Sequence, residues 1–192
     1  MKKLRIILSI AVLLSSFLFA PQTVLSAECP LQGDVFPDIK LSAPENMHDR
    51  SYLGLTEKTH FSISDIRAEI VIVEIFSMYC PYCQKEAPLV NELYTMINKQ
   101  QDIKDKIKIL GIGAGNTGFE IQVFRDTYAI PFPLVPDESF SVHKAIGEVR
   151  TPYFFVVRNT SDGSHRIIYS QVGTIKDPGA FLELILKESR VQ

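Results

Sequence analysis

The sequence predicts an α/β fold in which a central sheet of mixed strand direction is flanked by helices. Three observations carry this. Ile70 to Phe76 and Ile107 to Ile112 are near-continuous apolar runs, the pattern of strands covered on both faces. Between them Leu89, Val90, Leu93, Met96 and Ile97 recur at helical spacing, so a crossover helix joins two parallel strands. Further on, two strand-like runs flank a polar loop and would pair antiparallel. The chain has 192 residues, 46% hydrophobic and 22% charged, enough for one domain with a well-buried core. A net charge of -2 gives no basis for nucleic-acid binding, which needs a clustered basic surface.

Residues 1–27 read as a secretory signal and residues 28–192 as the folded domain. Lys2, Lys3 and Arg5 precede the apolar run Ile6 to Ala20, and small residues follow, ending in Ala27. The run is shorter than the roughly 20 residues that span a bilayer, which argues against a membrane anchor. Leu25 is bulkier than the residue preferred two positions before the cleavage point. Losing the three cations takes the net charge from -2 to about -5. The implied destination is the periplasm or the cell exterior, where disulfides persist. Cys29 stands just past this segment. A lipoprotein signal would place a small residue before the cysteine, but Glu28 is there, so Cys29 is expected as an unpaired thiol, with a resolving or intermolecular role as the alternative.

From Glu28 to Glu45 the chain is rich in Pro, Gly and acidic residues, with one strand-like piece at Asp38 to Ser42, and is expected to wrap the domain. Arg50 to Leu55 and Thr59 to Ile63 are expected to form an N-terminal β-hairpin across a polar link. Ser64 to Arg67 suits a single turn before the central strand, Ile70 to Phe76. Glu74 interrupts that strand. A buried charged carboxylate is costly, so Glu74 should have a solvent path or a task.

Directly after the strand come Cys80-Pro81-Tyr82-Cys83 and the first turns of a helix. Two cysteines at this spacing can close a disulfide ring, and a helix N-terminus stabilises the thiolate, the nucleophilic form. A zinc half-site would need two further ligands at comparable spacing, and His48, His60, His143 and His165 stand apart. No metal and no cofactor is implied.

The segment resembles the active site of the thioredoxin superfamily. The shared features are an acid six places before the first cysteine (Glu74), C-x-x-C at the helix start (Cys80, Cys83) and a proline eight places after that cysteine (Pro88). Tyr79 stands where the family usually has tryptophan, and Glu74 where it has aspartate. The resemblance implies Cys80 as the attacking thiol, Cys83 as the resolving one, a Cys80–Cys83 redox disulfide, and Glu74 as acceptor of the Cys83 proton.

Gly113-Ala114-Gly115-Asn116-Thr117-Gly118 fits G-x-G-x-x-G, with Asp137 about twenty residues later, as in dinucleotide-binding loops. Prolines at 131, 133 and 136 crowd the next expected strand, so a turn before a helix is the reading adopted. Thr117 and Glu120 have capping-box spacing for a helix to Tyr128. Pro131 to Asp137 is a short strand and Ser139 to Ile146 a short helix, an insertion between the two halves. With this insertion and the secretion signal, the chain resembles TlpA/ResA-like (AhpC/TSA-redoxin-related) thiol-disulfide oxidoreductases and, more distantly, peroxiredoxins.

Thr151-Pro152 fits the family's cis-proline beside the C-x-x-C. With Tyr79 and Tyr82 it is expected to contact an extended substrate. Tyr153 to Arg158 and Ile167 to Val172 are expected to form a hairpin, and the resemblance implies that the bend at Gly173 lies near the site, a plain turn glycine being the alternative. Asp177-Pro178 opens a last helix with core positions Phe181, Leu182, Ile185 and Leu186.

The resemblance implies a periplasmic enzyme, working as a monomer, that reduces disulfides in protein substrates, as in cytochrome c maturation, with electrons from a thiol-reducing integral membrane protein. Two alternatives come from other classes. A peroxide-reducing peroxiredoxin would need P-x-x-x-[TS]-x-x-C, of which Ser77 fits but Val73 does not. A non-enzymatic client-binding module would use the surface around Tyr79, Tyr82 and Pro152.

Overall fold

The computed structural model describes residues 27–55, 57–160, 163 and 165–191. The predicted signal segment lies outside them except for Ala27. Among the described residues, seven strands and five α-helices follow in the order β1 (Leu41–Ser42), α1 (Met47–Leu53), β2 (His60–Phe61), β3 (Ile70–Phe76), α2 (Pro81–Lys99), β4 (Ile107–Ala114), α3 (Gly118–Tyr128), β5 (Leu134–Asp137), α4 (Ser141–Ala145), β6 (Tyr153–Asn159), β7 (His165–Val172) and α5 (Pro178–Ser189).

The main sheet has the order β5-β4-β3-β6-β7. β3, β4 and β5 run parallel, while β6 pairs antiparallel with both β3 and β7, so the sheet is mixed as expected. Every residue of β3 is buried because helices or wrapping chain cover both faces. Side chains alternate across a strand, so Ile70, Ile72, Glu74 and Phe76 point to one face and Val71, Val73 and Ile75 to the other. On the first face they meet Cys83, Val90 and Leu93 of α2, Phe124 of α3 and Ile185 of α5. On the second they meet Phe36, Leu41, Leu53 of α1 and Val142 of α4. Glu74 is thereby aimed at the layer that holds the C-x-x-C helix.

The N-terminal antiparallel pair exists, but it joins Leu41–Ser42 to His60–Phe61. Arg50 to Leu55, expected as a strand, belongs mainly to α1. The Asn46 side chain accepts the Asp49 N–H at 2.7 Å, and Gly54 closes the helix with a φ of 70°. These caps and the four-residue spacing of buried Asp49 and Leu53 favour a helix over alternation. Asp49 then pairs with Arg125 of α3 at 2.8 Å, tying this extension to the insertion. The insertion itself, α3, β5 and α4, adds a strand at the sheet edge. Its capping box at Thr117 and Glu120 forms as the spacing predicts, as does the Asp177 cap of α5.

Phe155 is fully buried at the sheet centre, edge-on to Phe36 with centroids 5.4 Å apart. Phe155→Ala is expected to lower unfolding free energy by about 3–5 kcal/mol, read from the shift of the urea midpoint.

Candidate redox site

The site begins with a local consequence of sequence. Pro81 occupies the first turn of α2, where its missing N–H costs nothing, and Cys80 is the N-cap in extended conformation. The turn Ser77–Cys80 is closed by the Cys80 N–H on the Ser77 carbonyl at 3.0 Å. Cys80 is half-buried at the mouth of the site, and Cys83, one turn on, is completely buried against Ile72 and Phe76. Both are free thiols in this structure.

The three sequence motifs converge here. Thr151-Pro152 is a cis peptide, and the Thr151 carbonyl oxygen lies 3.4 Å from Cys80 Sγ. Gly173, with a φ of 111°, donates its N–H to the Pro152 carbonyl at 2.9 Å. Tyr79 and Tyr82, each 65% exposed, are open aromatic surfaces flanking Cys80 in the chain.

The two thiols are electrostatically unequal. Partial burial disfavours the Cys80 thiolate, but hydrogen bonds from the Thr151 side chain, from the Cys83 N–H and thiol, and from the Tyr82 N–H outweigh it, so the thiol sits below its ordinary pKa. Burial pushes Cys83 well above the ordinary range. The Cys80 hydrogen bond and the charges of Glu74 and Cys80 add to this, while the Ser77 backbone hydrogen bond opposes it.

Two carboxylates stand behind the thiols. Glu74 is 5% exposed, and burial, then the charges of Glu86 and Cys80, push its pKa up to about 8. Glu86, not singled out from the sequence, is 0% exposed. Burial lifts it to about 7 against the hydrogen bond it accepts from the Ile175 N–H. Its signal was present in the chain. Cys83, Glu86, Ala87, Val90, Leu93 and Ile97 form one buried helical stripe, and a glutamate on such a stripe is as anomalous as Glu74 in its strand. Glu86 also joins α2 to the loop after β7 that backs Pro152.

Two glycines of the G-x-G-x-x-G pattern, Gly113 and Gly115, have local tasks, while Gly118 has open space around it. A Cβ on Gly113 would come within 2.4 Å of Ile121, and Gly115 has a φ of 67° with the Phe140 ring packed over it. Cys29 lies elsewhere, in the N-terminal segment against β6, its Sγ 3.2 Å from the Tyr153 hydroxyl, which also meets Ser170 at 2.9 Å. Among the described residues, no group of three or more His, Cys, Asp or Glu is placed to hold a metal ion, and no helix is long and apolar enough to cross a membrane.

Comparison with known proteins agrees with this geometry. The thiol-disulfide oxidoreductase ResA of Geobacillus thermodenitrificans is 26% identical over 153 residues, covering 80% of this chain and 77% of that protein. ResA of Geobacillus kaustophilus is 27% identical over 123 residues, covering 64% and 67%. Among solved structures, a putative thiol:disulfide interchange protein DsbE from Chlorobium tepidum superposes with a TM-score of 0.60 at 17% identity, covering 82% of this chain and 97% of the other. The secreted DsbE-homologous disulfide oxidoreductase of Mycobacterium tuberculosis gives 0.54 at 14% identity, covering 78% and 96%. These two show the shared thioredoxin fold. The AhpC/TSA family model matches residues 32–166, spanning both the C-x-x-C and the cis-proline. The chain belongs to the AhpC/TSA family, as a thioredoxin-fold, TlpA/ResA-like thiol-disulfide oxidoreductase.

Proposed function

We propose that the protein reduces disulfides in polypeptide substrates outside the cytoplasm through a Cys80/Cys83 dithiol cycle. The observation that carries this is the unequal pair of thiols. Cys80 is partly accessible, acidified by hydrogen bonds from the Thr151 side chain and from Cys83 and Tyr82 at the helix start, and set against the Thr151 carbonyl, while Cys83 is sealed behind it. Cys80 thiolate attacks one sulfur of a substrate disulfide, forming a mixed disulfide and releasing the other substrate sulfur as a thiolate that takes up a proton. Cys83 then loses its proton and attacks Cys80 Sγ. The Cys80–Cys83 bond forms, the mixed disulfide breaks, and the substrate leaves as a dithiol.

The Cys83 proton needs an acceptor that water does not reach. Glu74 shares the face of β3 that packs on α2, and a carboxylate lifted to about 8 is a stronger base than an ordinary one. Glu86 raises Glu74 through its charge, so protonation at either site eases ionisation at the other. Tyr79, Tyr82, Thr151 and Pro152 form the surface on which an extended segment would lie. The likeness to ResA supports reduction as the direction of flow, with cytochrome c maturation as the setting and an integral membrane thiol reductant as donor. The basic-then-apolar start of the chain, residues 1–27, supports export.

Cys80→Ser is expected to abolish insulin-disulfide reduction, and Cys83→Ser to accumulate mixed disulfides that resist reducing-agent-free electrophoresis. Normal turnover in either variant would sink the cycle. Reduction of insulin without any acceleration of peroxide consumption separates this reading from a peroxidase.

The carboxylates also set a pH dependence. Each binds its proton more tightly in the folded protein than at the ordinary value of 4.5, so the stability it contributes is complete below that value and is lost as pH rises through about 7 for Glu86 and about 8 for Glu74. Denaturant midpoints should therefore fall between about pH 4.5 and 8. Glu74→Gln and Glu86→Gln should each flatten that decline, and an unchanged slope in both would refute the assignment.

A further inference from the structure

The β4–α3 turn, the segment that imitates a dinucleotide-binding loop, touches the redox loop at two points. The Asn116 side-chain oxygen accepts the Met78 N–H at 2.9 Å. From the next turn of chain, Glu120 accepts the Tyr79 hydroxyl. Because a backbone N–H can only donate, the Asn116 atom facing Met78 must be its oxygen, which fixes the orientation of the amide. Asn116 is 0% exposed, and its Nδ2 is buried without a hydrogen-bond partner. Leaving a buried donor unpaired costs stability, so the gain from this asparagine lies in where it places its oxygen.

Met78 is also held from the opposite side. Gln84, on the first turns of α2, donates its side-chain N–H to the Met78 carbonyl at 2.8 Å. Both polar groups of one residue, two places before Cys80, are thus clasped by side chains from two different elements. Gly113 makes the clasp possible, since a Cβ there would lie 3.1 Å from the Asn116 oxygen and 3.2 Å from its Cβ.

We propose that Asn116 is a positioning residue for Cys80, its side-chain oxygen holding the Met78 N–H so that the Ser77–Cys80 turn keeps the sulfur at the mouth of α2 and opposite Thr151. The proposal rests on the reading of Cys80 as the attacking thiol. Gln84 is the second half of the clasp. When either side chain is removed the turn loosens, and Cys80 spends less time where the N–H groups of Tyr82 and Cys83 reach its sulfur.

The test uses the full domain with Cys29→Ser, following thiolate absorbance at 240 nm against pH, with insulin reduction as the second readout. Asn116→Leu, which keeps the volume and removes the acceptor, is expected to raise the Cys80 midpoint and lower kcat severalfold to about tenfold, with KM within about twofold. Gln84→Leu should act in the same direction and more weakly, and it keeps the test decisive if Asn116→Leu does not fold. Asn91→Leu removes a comparable side-chain bond to the Tyr128 carbonyl at the other end of α3, and it should leave the titration unchanged. A wild-type midpoint in folded Asn116→Leu, or in Gln84→Leu if the first variant is lost, overturns the proposal. So does an equal shift in Asn91→Leu, which would mark a general effect of instability. If the parent itself shows no titration removed by Cys80→Ser, the reading of Cys80 fails instead, and the proposal falls with it.

Discussion

Burial of β3 on both faces is the constraint on which the rest of the structure depends. A strand with no exposed residue must send each side chain into one of two packed layers. A glutamate within it therefore has no route to bulk water along its own strand. Strand alternation sends Glu74 to the face covered by α2, and the next segment of chain begins that helix with Cys80 at its cap and Cys83 one turn inside. The carboxylate and the inner thiol share a layer because the strand and the helix are consecutive in the chain and the crossover between β3 and β4 folds back over the sheet. Glu86 enters the same layer from the helix side, on the stripe that packs α2 down.

This arrangement divides the labour between two chemically identical side chains by environment alone. Cys80 gains hydrogen bonds to its charged form, and Cys83 loses water without a matching gain. In the proposed cycle the inner thiol acts second, once the mixed disulfide has formed, and the carboxylates behind it receive its proton. Burial costs stability at each of the two glutamates, and proteins tolerate such costs mainly at sites of function.

Much of this was legible in the sequence because local chemistry and tertiary context agreed. Cys80-Pro81 at a helix start, Thr117 with Glu120, and Asp177-Pro178 each specify a helix terminus through groups a few residues apart, and each formed where the spacing put it. The apolar runs of β3 and β4 could hardly be anything but covered strands. Some of the remaining features depend on partners distant in the chain. Arg50 to Leu55 is helical mainly through local groups, the Asn46 and Gly54 caps, and the Asp49–Arg125 pair, 76 residues apart, adds a tie from afar. The place of Glu86 on a buried helical stripe is legible in the sequence, but its acceptor role is not, because that depends on the Ile175 N–H, 89 residues away. Asn116 was read as a turn residue, and nothing near it in sequence shows that its oxygen meets Met78, 38 positions back.

Among the described residues, no lysine or arginine is one of the groups that shift Cys80, Cys83, Glu74 or Glu86. The Cys80 thiolate is therefore favoured by hydrogen bonds, which act over a single contact distance and fail when the sulfur moves away. A lysine on a flexible stem could follow a wandering thiolate, and its field would fall off gradually. Backbone N–H groups at a helix terminus cannot follow. A site activated in this way needs its sulfur held still, and a helix cap alone leaves the preceding loop free to fray. The side-chain clasp on Met78, together with the Tyr79–Glu120 contact and the Ser77–Cys80 turn, supplies the restraint that an absent counter-ion would have made less necessary.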